Sequence, residues 1–325
     1  MTPILSICIP TYNRADILKK TLSEIVNNKG FDNDIEIVIS DNCSTDHTQN
    51  VVEEFITNYS NIKYYRNEKN IREKNFWIAL QRGQGEYVKL HNDYLSFTEN
   101  GLQIIKENLH KFYKKQIFFS DNKIFTYKNL DYVECSDLND YIKYISTYVT
   151  YIPLFGTWKE NLSLINNPFD KAELKLPQVE WTYKILSNVN GSVIINHEVF
   201  KVSTLIVKGD YNWFEIHIQN YYDIMKSYIN NNLISKKVYK KDISNALKHF
   251  KPELFYTFIA ASKTYLFEKK GSFKILWKYC RKSSYFWLLI LLYPFFICMK
   301  PLFVLAFKSD VIFKTVRLLY RKLLK

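Results

Sequence analysis

The sequence predicts an α/β protein, and three observations support that prediction. Buried-strand patterns alternate with helical patterns over residues 1–95, which indicates βαβ units and a mostly parallel, Rossmann-like sheet with helices on both faces. Short strands and helices mix less regularly over residues 96–205, which predicts a second half with a mixed sheet. Residues 206–272 are rich in helical patterns, and residues 273–325 form a basic, apolar C-terminal helical extension. We therefore predict four consecutive domains with these boundaries.

Apolar runs and helical spacing define the elements of the first half. Residues 4–9 predict a strand that Pro10 ends, and Asn13 is the expected cap of the helix that follows. Further strands are predicted over residues 35–40, 63–67 and 86–90, with helices around 51–59 and over 75–82. Ligands bind at the carboxyl ends of the strands in such sheets, so this half is the expected nucleotide-binding half.

The second half carries longer, less regular patterns. We predict a helix over residues 101–112, a strand over 116–125 and a helix over 177–189 that begins near Pro177. An aromatic-rich stretch over residues 148–162 predicts a buried strand and a turn, and strands are predicted within 192–203.

Composition limits the class of protein. The chain has 325 residues, of which 47% are hydrophobic and 17% aromatic, so it can bury a substantial core. The five cysteines are odd in number and scattered without a CxxC pair, which argues against a disulfide framework and against a zinc site. The N-terminal apolar run is too short for a signal peptide. A reducing, cytoplasmic setting is expected.

The basic charge is concentrated at the C terminus. The net charge is +13, and residues 274–325 carry eleven of the basic residues and a single acidic one. Apolar side chains interleave with these charges, which predicts contact with lipid and excludes nucleic acid as the expected partner. Residues 285–307 are apolar apart from Lys300, so they either span or lie on a membrane, or form a buried core helix. Residues 311–325 form a basic amphipathic pattern, and we expect the protein at the inner face of the cell membrane, peripheral or anchored.

Four N-terminal segments follow one another in a recognisable order: SICIPTYNR, IVISDNCSTD, RNEKNIREKN and GEYVKLHNDY. Together they resemble the nucleotide-sugar half of a family 2 glycosyltransferase with the GT-A fold, of the bacterial surface-polysaccharide type. The resemblance covers about the first 100 residues and fades beyond them. A dinucleotide enzyme is a poorer match, because no GxGxxG motif follows the first strand.

The first two segments supply the candidate donor-binding residues. The first leaves its strand at the carboxyl edge of the sheet, where backbone groups and an aromatic ring can pack on a nucleobase. The resemblance implies that the aspartate of the second segment accepts a hydrogen bond from a base N–H or a ribose hydroxyl, with polar contacts from its neighbours. These candidates are Pro10, Thr11, Tyr12, Asp41, Asn42 and Ser44.

Three arginines are candidates to balance the charge of a diphosphate, because guanidinium groups bind phosphate oxygens in a forked geometry. They are Arg14, Arg66 and Arg72, and each could equally be a solvated surface charge. Asp46 could contact the ligand or cap the helix that follows it.

The fourth segment is the candidate metal site. Related enzymes carry two carboxylates here that hold Mg²⁺ or Mn²⁺ across the diphosphate, whereas this chain has only Asp93. His91 or Asn92 stands where the first acid is expected, and Tyr94 could replace a second one. Ligation by the His91 imidazole would favour Mn²⁺ over Mg²⁺. A metal-free site using Arg or Lys and an inert polar turn remain open alternatives.

Inverting sugar transfer requires a general base that takes the proton of the acceptor hydroxyl. In the family this base is an acid on a helix of the second half, and the best match is Glu180, with Asp170 as the second candidate. Trp181 follows Glu180 and could stack on a sugar ring.

These inferences predict an inverting glycosyltransferase. It would transfer a sugar from a nucleoside-diphosphate sugar to a saccharide, with a lipid-linked oligosaccharide of capsule, O-antigen or a related surface glycan as the acceptor. The alternative is a catalytically inactive, sugar-binding relative, which the single aspartate of the metal motif keeps open.

Overall fold

The chain folds into two compact units in a computed structural model that describes residues 2–121, 130–206, 208–259 and 265–298. The first unit comprises Met1–Ile206 and Asn220–Val238, and the second comprises Val207–Gln219 and Tyr239–Lys325. The predicted boundary between residues 205 and 206 lies next to the end of the first segment of the first unit, whereas residues 206–272, predicted as one domain, are divided between the two units. The predicted halves 1–95 and 96–205 both lie within that unit.

The central sheet of the first unit has five strands in the order β3-β2-β1-β4-β8. The first four of these strands run parallel, and β8 pairs antiparallel with β4. The α/β fold with a mostly parallel sheet is therefore confirmed. The strands are β1 (Leu5–Thr11), β2 (Ile35–Asp41), β3 (Ile62–Arg66), β4 (Tyr87–Leu90) and β8 (Gly156–Trp158).

Helices cover both faces of this sheet because its central strands are apolar on both sides. Every residue of β2 and β4 is buried, which is typical of parallel strands enclosed between two layers of helices. One core cluster includes Leu18 and Leu22 of the first helix, and a second includes Trp77 and Leu80 of the third. The helices are α1 (Ala15–Val26), α2 (Thr48–Ile56), α3 (Lys74–Arg82) and α4 (Gly101–Lys111).

The rest of the first unit is mixed, as predicted. A three-stranded sheet has the order β6-β9-β7, with β9 parallel to β6 and antiparallel to β7. A separate antiparallel ribbon joins β5 to β10. The elements are β5 (Leu95–Phe97), β6 (Gln116–Phe119), β7 (Tyr132–Cys135), α5 (Leu138–Ile145), α6 (Pro177–Leu186), β9 (Ser192–Ile195), β10 (Phe200–Val202) and α7 (Tyr221–Asn230).

The predicted strand within residues 148–162 is largely wrong. Short 3₁₀ turns occupy Ser146–Thr150, Ile152–Leu154 and Lys159–Leu164, and only the three residues of β8 are extended. Pro153 stands within the second turn, where its fixed φ and missing N–H suit a turn better than a ladder. The buried aromatic side chains were correctly expected: Phe155 follows the second turn and Trp158 is the last residue of β8.

Pro10 does not end the first strand, which continues to Thr11. Cys8 is the last residue of β1 in register with β4, and its carbonyl accepts from the His91 N–H, so Cys8 faces the β4 side. Backbone groups alternate sides along a strand, so the position of the missing N–H of Pro10 also faces β4, beyond the end of that ladder. A proline there removes no sheet hydrogen bond.

Asn13 is not the cap of α1. Its backbone is left-handed, with φ 51°, and its side-chain oxygen accepts from the Thr45 N–H at 2.7 Å. Asp46 supplies the cap instead, accepting from the Ala15 N–H at 3.1 Å and from the Thr48 N–H at 3.0 Å. One carboxylate thus caps both α1 and α2 and ties two strand-to-helix loops together.

The remaining described elements of the C-terminal part are mostly helical, as predicted. They are β11 (Lys208–Gly209), a π-helix (Glu215–Asn220), α8 (Lys236–His249), α9 (Lys251–Phe258), β12 (Tyr265–Leu266), α10 (Ser272–Cys280) and α11 (Ser284–Cys298). Of the helices in the described ranges, none has both the length and the apolar character needed to cross a membrane. The predicted basic amphipathic segment 311–325 and most of the apolar run after Cys298 lie outside the described residues.

Candidate functional site

Asp93, Thr11 and Arg14 meet at the carboxyl edge of the central sheet. Asp93 lies three residues beyond the end of β4, and Thr11 is the last residue of the adjacent β1. The Thr11 hydroxyl donates to Oδ2 of Asp93 at 3.0 Å, and Nη1 of Arg14 donates to Oδ1 at 3.0 Å. Parallel strands bring their loops together at this edge, which is why residues distant in sequence share one carboxylate.

The environment of Asp93 makes its charge costly. The residue is only 6% exposed, and burial raises its pKa above the ordinary value of 3.8, although the Arg14 charge and the Thr11 hydrogen bond act in the opposite direction. The Arg14 side chain is 39% exposed, so water screens part of its attraction. A cation or a phosphate-bound metal at this carboxylate would offset the cost of burying it.

Asp41 is enclosed by hydrogen bonds from within the protein. Its Oδ1 accepts from the backbone N–H and the hydroxyl of Ser44 at 2.9 and 2.5 Å, and its Oδ2 accepts from the Tyr64 hydroxyl at 2.6 Å. Nε of Arg66 lies 3.8 Å from the same Oδ2, and Nη2 of Arg66 donates to the Ser44 carbonyl at 3.0 Å. Since Asp41 is fully buried, these contacts shape the loop after β2.

Asn42 also uses its side chain inside the protein. Its Oδ1 accepts from Nδ2 of Asn67 and from the Ile71 N–H, and its Nδ2 donates to Oδ1 of Asn70 at 2.8 Å and to the Arg72 carbonyl at 3.4 Å. A buried amide network of this kind fixes the loop that follows β3. The loop after β2 and the loop after β3 are therefore held to each other.

The exposed groups at this edge are the ones able to meet a ligand. Tyr12 is 42% exposed, Pro10 is half-buried, and Arg72 is exposed with a left-handed backbone at φ 53°. Oγ of Ser44 accepts from the Asn13 N–H at 2.9 Å, which sets the backbone just after Tyr12. The predicted donor residues thus divide into exposed groups and buried groups that hold their loops in place.

His91 lies in a different environment from Asp93. Its ring is fully buried, stacks on Phe97 with centroids 4.7 Å apart, and places Nε2 3.0 Å from the Leu95 carbonyl oxygen. Burial, followed by the Lys89 charge, lowers the pKa of His91 to about 3, so the ring is neutral. Within the described residues its Nδ1 has no hydrogen-bond partner. These contacts favour a core role for His91, and its role as a metal ligand stays a prediction.

Lys89, two residues earlier on β4, is an unexpected core residue. Its Nζ lies 4.7 Å from the centre of the Phe200 ring, and the side chain is fully buried. Burial lowers the pKa of Lys89 to about 7, while the charge of Asp121 opposes that shift. Sequence reasoning placed Lys89 simply within a strand.

Of the two predicted metal ligands, Asp93 supplies a carboxylate at the carboxyl edge of the sheet, whereas the His91 ring is enclosed in the core. The described part of the chain contains no cluster of three or more His, Cys, Asp or Glu side chains that could hold a metal ion. Mg²⁺ and Mn²⁺ need few protein ligands where substrate phosphates and water complete the coordination, so one carboxylate is compatible with such an ion. Asn92 donates through Nδ2 to the Tyr94 hydroxyl at 2.9 Å, which ties those two side chains to each other.

Glu180 lies in a second polar cluster, on α6. Nζ of Lys171 donates to its Oε2 at 3.2 Å, the Tyr228 hydroxyl donates to its Oε1 at 3.1 Å, and Nζ of Lys184 lies 3.7 Å from Oε1. Burial, followed by the Glu180 charge, raises the pKa of Tyr228, so its hydroxyl stays protonated and able to donate. Glu180 is 3% exposed and is held by two hydrogen-bond donors and by the nearby ammonium group of Lys184.

Trp181 does not have an exposed ring for a sugar. It is fully buried, packs against Trp77 and Phe155, and donates through Nε1 to the Pro168 carbonyl at 2.8 Å. The suggestion that it stacks on a substrate ring is wrong, because its faces are used in the core. Asp170 has a half-exposed side chain, and its Oδ2 lies 4.0 Å from Nζ of Lys184. Lys184 therefore pairs with both Asp170 and Glu180.

Three residues that sequence reasoning missed support these clusters: Tyr64, Lys171 and Tyr228. Tyr64 stands two positions before Arg66 on β3, so strand alternation places both side chains on the face that meets Asp41. That spacing was a usable signal. Lys171 and Tyr228 are 9 and 48 residues from Glu180, and no local pattern connects them to it.

Comparisons with known proteins concern mainly the N-terminal part of the chain. A family model described as "Glycosyl transferase family 2" matches residues 6–125. Abequosyltransferase RfbV of Salmonella typhimurium is 34% identical over 122 residues, which cover 37% of this chain and 36% of the relative. A Campylobacter jejuni protein named GalNAc(5)-diNAcBac-PP-undecaprenol beta-1,3-glucosyltransferase is 36% identical over 93 residues, covering 28% of this chain and 29% of that protein. The matched segment thus spans about a third of the length of these relatives.

The fold as a whole has solved counterparts. The crystal structure of S. aureus TarS 1-349 in complex with UDP-GlcNAc matches with a TM-score of 0.55 and 16% identity, covering 86% of this chain and 81% of that one. The same protein in complex with UDP matches with a TM-score of 0.52 over 78% of this chain and 74% of that one. At this identity the likeness establishes a shared fold.

Proposed function

We propose that this chain, of which residues 6–125 match the model of glycosyl transferase family 2, transfers a sugar from a nucleoside-diphosphate sugar to a saccharide hydroxyl with inversion at the anomeric carbon. This match supports the resemblance of the four N-terminal segments, and the α/β fold shared with S. aureus TarS agrees with it. The activity of the whole protein, its acceptor and its stereochemistry are parts of the proposal.

The observation that carries the proposal is the meeting of Thr11, Arg14 and Asp93 at the carboxyl edge of the sheet. A buried carboxylate beside a half-exposed guanidinium presents both signs of charge where a diphosphate with its counter-ion would bind. A buried carboxylate with a raised pKa at the ligand-binding edge of the sheet supports a ligand role for Asp93.

The donor would bind across the loops after β1, β2 and β3. The exposed ring of Tyr12 offers a stacking surface for the base, and Arg14 and Arg72 can reach phosphate oxygens. Asp41, Asn42 and Ser44 act by holding these loops in place, because their polar atoms are hydrogen-bonded within the protein. Arg66 joins that support through its contacts with Ser44 and Asp41.

Asp93 would hold Mg²⁺ or Mn²⁺ together with the donor diphosphate. Such an ion, when bound, supplies Lewis-acid stabilisation of the departing nucleotide. Arg14 contributes a positive charge at Oδ1 of the same carboxylate, and its guanidinium group would also be able to bind phosphate oxygens.

Glu180 would act as the general base. Its carboxylate is oriented by Lys171 and Tyr228, and a held carboxylate is suited to accept the proton of an acceptor hydroxyl as that oxygen attacks the anomeric carbon. The bond to the nucleoside diphosphate breaks as the new glycosidic bond forms, and the proton moves to Glu180.

The acceptor would be a lipid-linked saccharide of a bacterial surface glycan. Two relatives support this class: an abequosyltransferase, and a glucosyltransferase whose name includes an undecaprenol-linked glycan. Residues 271–298 contain basic but no acidic side chains, and α11 exposes Trp287, Leu288 and Leu291. This combination supports contact with an anionic membrane at its cytoplasmic face.

Donor binding tests the proposal most directly. We expect one or a few nucleoside-diphosphate sugars to raise the melting temperature of the purified chain, because a ligand that binds only the folded state stabilises it. Mn²⁺ or Mg²⁺ should increase that shift, and the same donors should be hydrolysed slowly. Binding without hydrolysis or transfer would identify the inactive, sugar-binding relative instead, and no stabilisation by any donor would contradict both.

Membrane contact has its own test. The full chain should sediment with vesicles that contain anionic lipid and much less with neutral vesicles, because each basic residue near an anionic surface contributes ~1 kcal/mol. Salt should release only part of the bound protein, since screening leaves the apolar contribution intact, and detergent should release the rest. Protein that stays in the supernatant with anionic vesicles would contradict the proposed location.

A further inference from the structure

The second unit contains an apolar cavity of about 320 Å³ that none of the chemistry above uses. Four helices, α8 to α11, contribute to its wall. Apart from one lysine, the described lining residues are apolar or aromatic, among them Leu247, Leu254, Phe258, Leu276, Phe286 and Leu289. Water in a cavity with this apolar lining would lack hydrogen-bond partners, so the cavity is better suited to a hydrocarbon ligand.

The cavity opens to solvent beside exposed aromatic side chains. Phe273 and Tyr293 belong to its lining, yet they are 52% and 42% exposed. Trp277 stacks near Phe273, with centroids 6.1 Å apart, and is itself 39% exposed. An apolar chain could therefore enter from the surface without displacing a closed core.

The polar lining residue is Lys251, the first residue of α9. Burial, followed by the charge of Lys248, lowers the pKa of Lys251, so two cations lie close enough to oppose each other at this end of the cavity. Lys248 is exposed, and its Nζ lies 5.5 Å from the centre of the Tyr285 ring. Two lysines at one end of an otherwise apolar cavity favour a ligand with an anionic head group.

We infer that this cavity binds the hydrocarbon chain of a lipid phosphate, with Lys251 and Lys248 on the phosphate, and that the lipid is the carrier of the saccharide acceptor. The identity of the lipid rests on the proposed function. A carrier lipid has a single hydrocarbon chain to place in the cavity, whereas a bilayer phospholipid has two chains, of which one would stay outside. The cavity would hold the carrier while its saccharide end reacts.

Farnesyl phosphate is a suitable soluble probe, with farnesol and inorganic phosphate as controls for the chain and the head group. Binding to the full chain can be measured by calorimetry or by the change in tryptophan fluorescence. We expect farnesyl phosphate to bind at least about tenfold more tightly than either control, because chain burial and ion pairing act together. Equal affinities for farnesol and farnesyl phosphate would show that the lysines do not bind the phosphate, which would contradict the proposed head-group site.

Two neighbouring positions on α11 provide a matched pair. Leu289 lines the cavity, whereas Leu288 does not and is 45% exposed. Leu289→Trp should weaken farnesyl phosphate about tenfold or more by filling the space, and Leu288→Trp should leave its affinity unchanged. Leu254→Trp, from another wall, repeats the test if Leu289→Trp lowers the melting temperature. Unchanged affinity in the folded cavity variants would overturn the inference.

Lys251→Gln should weaken farnesyl phosphate but not farnesol, and Lys236→Gln, at the exposed start of α8, should weaken neither. A phospholipid with two acyl chains that displaces farnesyl phosphate completely would identify a bilayer lipid as the occupant and overturn the carrier assignment. None of these variants touches the residues proposed to bind the donor. If donor binding persists while farnesyl phosphate fails to bind, only the lipid site is wrong.

Discussion

Asp93→Ala should reduce sugar transfer by ~10²–10³-fold or more, because it removes the carboxylate proposed to hold the metal and the diphosphate together. The metal-dependent part of the donor-induced thermal shift should disappear with it. Asp16→Ala provides the matched control, since the Asp16 side chain is 89% exposed on the first turn of the neighbouring α1. It removes the same charge nearby without touching the cluster of Thr11, Arg14 and Asp93.

Loss of activity in this variant should not come from unfolding. Burial raises the pKa of Asp93 above 3.8, so the folded state binds a proton there more readily than the unfolded chain does. The free energy of unfolding therefore falls as the pH rises from 3.8 through the raised pKa of Asp93, because ionisation of this buried group destabilises the folded state. Asp93→Asn, which carries no charge, should be at least as stable as the wild type at neutral pH. Denaturant titration checks this. A large loss of stability in Asp93→Asn would assign the carboxylate a structural role.

The pH dependence of metal binding follows from the same shift. A cation requires the ionised carboxylate, and a raised pKa means that ionisation is lost at a higher pH than for an ordinary aspartate. Metal-dependent donor binding should accordingly weaken on mild acidification. Donor binding that is indifferent to metal in the wild type would favour the arginine-based site, with Arg14 released from Asp93 to meet the phosphates.

The central sheet could be predicted because its signals are local. The residues of β2 and β4 are buried throughout, and their mainly apolar β-rich sequences indicate strands without any knowledge of neighbours, although each strand also contains a buried charged residue, Glu36 or Lys89. Motif order then placed Asp41 and Asp93 at strand ends, as the structure has them. What the patterns could not supply was the partner of each polar atom. Thr11 and Arg14 lie 82 and 79 residues from Asp93, and only the parallel arrangement of β1 and β4 brings them into contact.

The failures have the same origin. Asn13 is a residue type that often caps helices, but the cap of α1 is Asp46, which accepts a hydrogen bond from the N–H of Ala15, 31 residues away in sequence. Proline often ends a strand, but Pro10 lies beyond the last residue of β1 that pairs with β4, so β1 continues past it. Glu180 and Trp181 are adjacent in sequence, yet one is held by cations and the other is enclosed by aromatic rings. In each case tertiary contacts decide what a local residue type does.

Glu180→Gln should lower kcat by ~10²–10⁴-fold while donor binding is retained, because the amide cannot accept the acceptor proton. The structure also offers a rival explanation, since Glu180 connects α6 to Lys171 and to Tyr228 of α7. A structural glutamate would show its loss in stability, as removal of one partner leaves buried cations without their counter-charge. Melting temperature and kcat must therefore be measured together.

Asp170→Asn is the matched variant, because Asp170 shares Lys184 with Glu180 but has a half-exposed carboxylate. If Glu180 is the base, Asp170→Asn should keep kcat within a few-fold, whereas Glu180→Gln should lose it with the melting temperature and the donor affinity preserved. The reverse result would transfer the role to Asp170. A Glu180→Gln protein that melts earlier yet retains its kcat would show that the cluster of Lys171, Glu180 and Tyr228 only supports the fold, and the base would then have to be sought among other acids.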